Sequence, residues 1–386
     1  MGVLAGRLDR AAFPTSPPPS DDLRESPPLL RHLRLALLGV LAFAIGVALL
    51  VSLVPFIDTG WWLVRILDFP RLQFAIVTLL LLVPLPFVLR AHPRTALVLA
   101  AAALAALAAD GYKLWPYRPF AGTALADASC PDDRRLRVMI SNVLLSNRQS
   151  QTLLDEVRTR KPDLFLAMEV DDWWDRTLEP LAAEMPYGAT KITGSYYGMR
   201  LFSRLPLSDT QVRFLAGRDT PAIVTGVRLR DGETMTFVGL HPRPPLVGQS
   251  ALPRDAELYA AAKILRDRAG PALMAGDLNA TPWEDAVQRT RRVAGLVSPR
   301  QGYGYVYSFD AHSWWAKWPL DQIDTKPGFT TLSLERLAPV GSDHYPYLVS
   351  LCRDPDVTAP AAVPESEDDS ARIAEADRAA GAEAAR

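Results

Sequence analysis

Apolar positions along this chain fall into two regimes. Residues 35–56 (LALLGVLAFAIGVALLVSLVPF) and 72–89 (LQFAIVTLLLLVPLPFVL) run without a charge. A third stretch, TALVLAAAALAALAA, starts at Thr95 and continues to Trp115 across Asp110 and Lys113. A helix rising 1.5 Å per residue needs about 20 residues to cross about 30 Å of hydrocarbon. The pattern therefore predicts three transmembrane helices, at about 35–56, 72–89 and 95–115. The third is short and Ala-rich, and a buried or interfacial helix is the other reading of it.

From about residue 131 the spacing changes. LRVMISNVLL (136–145) and LFLAMEV (164–170) read as strands. Between them SQTLLDEVRTRKPD places Leu153, Leu154 and Val157 at helical spacing and stops at Pro162. TMTFVGLHPRPP is a strand that ends at His241, where prolines prevent further pairing. RDAELYAAAKILRDRAG is an amphipathic helix ended by Gly270, ALMAGDLN is another strand, and PVGSDHYPYLVSL opens the last one. These elements define a domain over 131–353. The flanks differ: 1–34 is a Pro-rich leader and 354–386 an acidic, Ala-rich tail. Both are expected to be disordered, with a short helix from Ser370 as the alternative for the tail.

Charge adds orientation and little else. The 386 residues carry a formal net charge of -1, which calls for no polyanionic partner at long range. Arg7, Arg10, Arg24, Arg31 and Arg34 precede the first span, and Arg90 and Arg94 separate the second from the third. The loop between the first two spans holds Arg65 and Arg71, with Trp61 and Trp62 suited to the headgroup zone. The positive-inside tendency then puts the leader in the cytoplasm and, with three spans, the domain outside it. The two cysteines, Cys130 and Cys352, bracket the domain's first and last strands. A disulfide would suit an oxidising compartment; two separate thiols are the alternative.

The strands share one feature: each carries a polar residue at one end. Asp277 and Asn279 lie two apart and are expected to share a face if the strand stays extended. Asn142, Glu169, His241 and the pair Asp343–His344 occupy similar positions. A single polar break is usually a cap or turn, whereas several suggest that strand ends converge on one pocket. Glu169 and Asp343 offer anionic oxygens and Asn142 a neutral one, a donor set suited to Mg2+ or Mn2+. Zinc would call for His and Cys clusters, and the domain has His241, His312 and His344, with no HExxH or CxxC. A Gly-rich phosphate loop and a GxSxG elbow are also absent. A carboxylate beside water, imidazoles beside developing charge and a bound metal fit hydrolysis of a phosphate ester.

The ordered set SNVL, LAMEV, HPRPP, GDLNATPW, LDQIDTKPGF and GSDHYP, over about 134–351, resembles the endonuclease/exonuclease/phosphatase superfamily, or DNase I-like fold. The three-span head with WWLVRILDFPRLQ resembles its membrane-anchored bacterial branch. The resemblance implies an α/β (α+β) class chain, with transmembrane helices followed by a four-layer α/β/β/α sandwich whose site lies at one edge. It implies metal binding by Asn142, Glu169 and Asp343. It assigns His241 and His344 to the phosphate, Asp277 and Asn279 to the attacking water and the phosphate, and Asp321 to orienting His344. Where many relatives read I-D-H this chain reads Leu320-Asp321-Gln322, and Asp324 nearby would take the acid's place if the register slipped.

The reading that follows is a membrane-anchored, divalent-metal-dependent phosphoester hydrolase at a bacterial inner membrane, its catalytic domain on the extracytoplasmic side. Nucleic acid, phospholipid and small phosphate esters all stay open as substrates, the bilayer is a partner through three helices, and no protein partner is inferable. The alternative is a non-catalytic binding or scaffold domain that reuses the fold. Trp314, Trp315 and Trp318 are expected to cover a core edge, with base stacking or lipid contact as alternatives. His312 is expected at the surface.

Overall fold

In the computed structural model, which describes residues 28–119, 130–354, 356 and 365–385, the described residues form two compact units, one ending at Ala44 and the other beginning at Ile45. Most of the predicted leader lies outside the described residues. Its last part does not conform to expectation, because helix α1 (Pro28–Leu53) already begins there. The head continues with α2 (Trp62–Leu67), α3 (Arg71–Leu82), α4 (Leu85–Ala91) and α5 (Pro93–Leu114). Three stretches, His32–Phe56, Arg71–Val88 and Pro93–Tyr117, are long and apolar enough to cross a membrane.

The rest is mixed α/β. One sheet has six strands in the order β10-β11-β1-β2-β4-β3 and the other five in the order β5-β6-β7-β8-β9. In chain order these are β1 (Arg135–Asn142), β2 (Leu164–Met168), β3 (Tyr187–Lys191), β4 (Met199–Ser203), β5 (Leu207–Phe214), β6 (Pro221–Arg228), β7 (Thr234–Leu240), β8 (Ala272–Asp277), β9 (Asp321–Thr325), β10 (Phe329–Arg336) and β11 (Tyr347–Arg353). Between them lie α6 (Gln151–Arg160), α7 (Asp172–Leu178), α8 (Leu252–Arg266) and α9 (Asp285–Ala294).

Strand alternation sorts the side chains into layers. Leu136, Val138 and Ile140 of β1, Leu164, Leu166 and Met168 of β2, and Leu273 and Ala275 of β8 meet between the sheets. The opposite faces pack against helices. Phe165 and Ala167 lie against α6 and α7, and Val238, Leu240 and Met274 against α8 and α9. The result is the four-layer sandwich.

Topology determines where the polar strand ends fall. β1 and β2 are parallel, joined through α6, and β7 and β8 are parallel, joined through α8. Each pair therefore brings two C-terminal ends to one edge: Asn142 beside Glu169, and His241 beside Asp277. β9 runs antiparallel to β8 with Asp277 opposite Asp321, and β11 runs antiparallel to β1 with Ile140 opposite Tyr347. Asp321 and the 343–344 pair accordingly reach the same edge from the other direction. Cys130 and Cys352 form a disulfide, with Cα atoms 5.8 Å apart, that ties the entry of the domain to its last strand.

The expectation of a disordered tail is corrected over its last part. Glu367–Ala384 form helix α10, capped reciprocally by Ser366 and Asp369. Ile373, Ala376 and Ala380, spaced three and four apart, are buried in the core that α8 and α9 share. The Ala-rich composition that suggested disorder provides both helix propensity and a flat face for close packing.

Candidate active site

Asn142 stands in the same strand parity as Leu136, Val138 and Ile140, and Asp277 in that of Leu273 and Ala275, so both project between the sheets at their shared edge. There they meet. Asn142 Nδ2 donates to Asp277 Oδ2 at 3.2 Å and to Glu169 Oε1 at 3.0 Å. The other Glu169 oxygen accepts from the Leu145 backbone N–H at 2.9 Å, and the residue has a left-handed φ of 61° that turns it out of β2. A non-glycine residue held there indicates a local geometry fixed by its surroundings. Gly276 is required at the neighbouring position, because an added Cβ would fall 1.8 Å from the Leu240 carbonyl oxygen across the β7–β8 pair.

Asp277 is the hub. Besides Asn142, its Oδ2 faces His344 Nε2 at 3.4 Å and His241 Nε2 at 3.8 Å. Its backbone N–H reaches the Met168 sulfur at 3.0 Å, linking the two sheets. The expectation that Asp277 and Asn279 share an extended face is corrected. β8 ends at Asp277, Asn279 adopts φ 48°, and its backbone N–H folds back to Asp277 Oδ1 at 2.9 Å. This local side-chain-to-backbone bond competes with the ladder and ends the strand. The Asn279 amide donates to the Pro242 carbonyl, next to His241.

The two acids of LDQIDT separate cleanly. Asp321 and Asp324 are three apart on β9 and so face opposite ways. Asp321 points between the sheets and its Oδ2 lies 2.7 Å from His344 Nδ1. Asp324 points outward and is paired with Arg291 of α9 at 2.8 Å. Burial alone would disfavour a charged His344, but Asp321, Asp277 and Asp343 outweigh it and push the imidazole up to about 10. Asp343 sits at the rim, half-buried, its carboxylate 3.3 Å from Ser342 Oγ. His312 is exposed.

The donor set suits a divalent cation. Glu169, half-buried, and the buried Asp277 and Asp321 converge in one network, and among the described residues no lysine or arginine is ion-paired to any of them. Ligand atoms of Asp277, Asp321 and His344 lie within 4.8 Å of one another. Within that trio Asp321 and His344 are hydrogen-bonded, and Glu169, half-buried, is the more open oxygen donor; Asn142 is buried, its Oδ1 accepting from the Leu144 N–H at 3.0 Å. The His241 Nδ1 atom is buried without a partner among the described residues.

Several neighbours escaped the sequence reading. The Tyr197 ring lies 5.5 Å from that of His241, and Phe309 lies 4.9 Å from His344. Arg254 donates to the Asn279 carbonyl at 2.9 Å and pairs with Glu284. The loop after β8 is also clamped to the helical head. Trp283 Nε1 donates to the Asp68 carbonyl, Tyr117 to the Pro282 carbonyl, and Arg65 pairs with Asp255 at 2.8 Å and Glu284 at 3.3 Å. Asp110 and Lys113, blemishes in an apolar run on the sequence, are ion-paired to Arg71 at 3.0 Å and Asp285 at 3.0 Å.

A two-sheet α/β sandwich with acids, amides and imidazoles gathered at one edge defines the class: a DNase I-like phosphoesterase fold. The family model described as the Endonuclease/Exonuclease/phosphatase family matches residues 139–344, and the chain belongs to that family, whose members are metal-dependent phosphoester hydrolases. Among solved structures, it is similar to D. rerio TDP2 complexed with a single-strand DNA product (13% identity, 56% of this chain and 98% of that one, TM-score 0.50). It is also similar to the human Nocturnin catalytic domain with bound sulfate (20%, 57% and 95%, 0.48). A third is an endonuclease/exonuclease/phosphatase from Beutenbergia cavernae (18%, 61% and 76%, 0.47). At these identities the likeness concerns the fold. No curated protein sequence matches the chain.

Proposed function

We propose that the chain is a membrane-anchored phosphoester hydrolase that depends on Mg2+ or Mn2+. One observation carries this reading: Glu169, Asn142, Asp277, His344 and Asp321, from five separate strand ends, form one continuous network, buried except at Glu169. Glu169 and Asn142, with Asp343 at the rim, would hold the cation, which when bound offsets negative charge on the phosphoryl oxygens.

The protein's own groups do the rest. Asp277 takes a proton from water, its carboxylate aimed by Asn142 and the Asn279 N–H. The water oxygen bonds to phosphorus, the P–O ester bond breaks, and the leaving oxygen takes up a proton from solvent, so that one water is consumed. His344 presents a charged Nε2–H, because Asp321 fixes its other nitrogen. His241, which faces the same Asp277 oxygen as His344, would donate to the same phosphate. The three apolar helices would anchor this domain in a bilayer. The Cys130–Cys352 bridge and the arginine distribution support an extracytoplasmic side.

The test is a panel of phosphoesters (DNA, RNA, phospholipid, inositol phosphate) offered to the full chain in detergent with Mg2+, with chelator, and as D277N. Loss of a general base costs about 100- to 10,000-fold. Turnover by D277N equal to the parent's would refute the assignment.

A further inference from the structure

The three tryptophans expected to cover a core edge do not behave alike. Trp318 packs against Phe69 and Phe309, with ring centres 5.4 and 5.6 Å away. Trp314 and Trp315 are 89% and 51% exposed. Exposing two adjacent indoles to water is costly, and all nine tryptophans lie within the described residues. Only two others are exposed, Trp61 at the start of α2 (55%) and Trp115 at the end of α5 (64%). Both neighbour residues bonded to the catalytic domain: Gly60 accepts a backbone bond from Ala251, and Pro116 accepts one from Gly302. The exposed tryptophans thus all stand beside contacts between the helical head and the catalytic domain, the place where an aromatic belt would flank a bilayer core.

Trp314 and Trp315 reach that place from the catalytic domain. Gln73, two residues into the Arg71–Val88 apolar stretch, donates to the Trp315 carbonyl at 2.7 Å. The loop that carries them is rooted in the site. Phe309 packs on the His344 ring at 4.9 Å, and the Ala311 N–H donates to the Asp343 carbonyl at 2.6 Å. A path of ring contacts runs His344, Phe309, Trp318, Phe69, the last just before α3.

We propose that the 310–318 loop is an interfacial lip that seats Trp314 and Trp315 in the headgroup layer, and that the site at its base takes a phosphoester carried by a lipid in that layer. The second half rests on the hydrolase reading above. The surface is continuous with the helix that enters the membrane, and the chain's net charge of -1 offers no electrostatic footprint for a nucleic-acid strand. Base stacking on Trp314 and Trp315 is the rival outcome.

The full chain is reconstituted in nanodiscs containing phosphatidic acid and phosphatidylglycerol, as wild type and as W314S/W315S. Quenching of tryptophan fluorescence by lipids brominated near the headgroup reads the surface without catalysis. The double variant should lose a distinct quenched component, and equal quenching in both chains overturns the lip. Turnover of the two lipids is then compared with that of soluble p-nitrophenyl phosphate, bis-p-nitrophenyl phosphate and a single-stranded oligonucleotide. W314S/W315S should slow lipid turnover at least about 10-fold and leave the soluble esters within about 2-fold, a contrast expected of a lost surface contact and not of a damaged site. Equal losses on all substrates, or an oligonucleotide preferred over both lipids, overturn the substrate class. An active D277N would instead sink the hydrolase reading and leave the quenching result standing.

Discussion

Breaking the Cys130–Cys352 bridge should destabilise the catalytic domain severely. The bridge closes a loop of 222 residues, nearly the whole domain. In the chain-entropy account the stabilisation grows with the logarithm of loop length and reaches about 5 kcal/mol for a loop of this size. The apolar helices stay in the detergent or bilayer when the domain unfolds, so this loop is the one released. For a domain of about this size each kcal/mol corresponds to roughly 2–4 °C, which gives a fall in Tm of roughly 10–20 °C. Both sulfurs are buried beside Leu332, so a reductant would reach them slowly, and C130A/C352A is the cleaner perturbation. Melts of the full chain by intrinsic fluorescence, wild type against variant, measure the shift. A change of less than about 2 °C would refute the reasoning. Thiol alkylation in intact cells adds a topological readout: the bridge should resist maleimide before reduction, and free thiols there would contradict an oxidising location.

Three further outcomes follow from buried charge. Burial pushes Glu257 up to about 8, beyond what its bond from Thr220 and the charge of Arg243 offset, while Asp219 and Glu383 reinforce the rise. The folded chain therefore keeps a proton that the unfolded chain has lost. Stability should fall as pH rises from about 4.5 to about 8, by the order of 5 kcal/mol, and level off above, a slope that denaturant midpoints should show and E257Q should flatten. R65M should strand Asp255 and Glu284 without their cation and cost about 3–5 kcal/mol in denaturant melts, loosening the loop that carries Asn279. D321N should lower kcat about 100-fold by misplacing one preorganised donor, His344. D324N, which strands Arg291, should lower stability with kcat of the folded fraction close to wild type, and the reverse ranking would reassign the two acids.

Much of this architecture was legible because two kinds of apolar run dominate the chain. Long unbroken apolar runs located the helices that are long enough to span, and short apolar runs ending in a polar residue located β1, β2, β7, β8 and β11. The polar residues at their ends announced an edge site, since parallel crossovers bring successive C-termini together. What stayed hidden has physical reasons. Asn279 left the extended path through a local bond to Asp277 that strand periodicity cannot register. Asp321 and Asp324 were ambiguous until the pairing of β9 fixed which faced inward, after which their spacing of three decided the matter. Asp110 and Lys113 resembled interruptions because their partners lie far away in sequence, at Arg71 and Asp285. The α10 helix stood only as the alternative to disorder, because small apolar side chains look like solvent-tolerant filler until a partner surface exists.

The most direct measurement is turnover of a phosphoester by the full chain in 18O-labelled water with Mg2+, read by mass spectrometry of both products for wild type and D277N. The account predicts label in the phosphoryl product alone, released by the wild type and reduced to background in D277N. Label in the alcohol, or undiminished release of labelled phosphate by D277N, would contradict it.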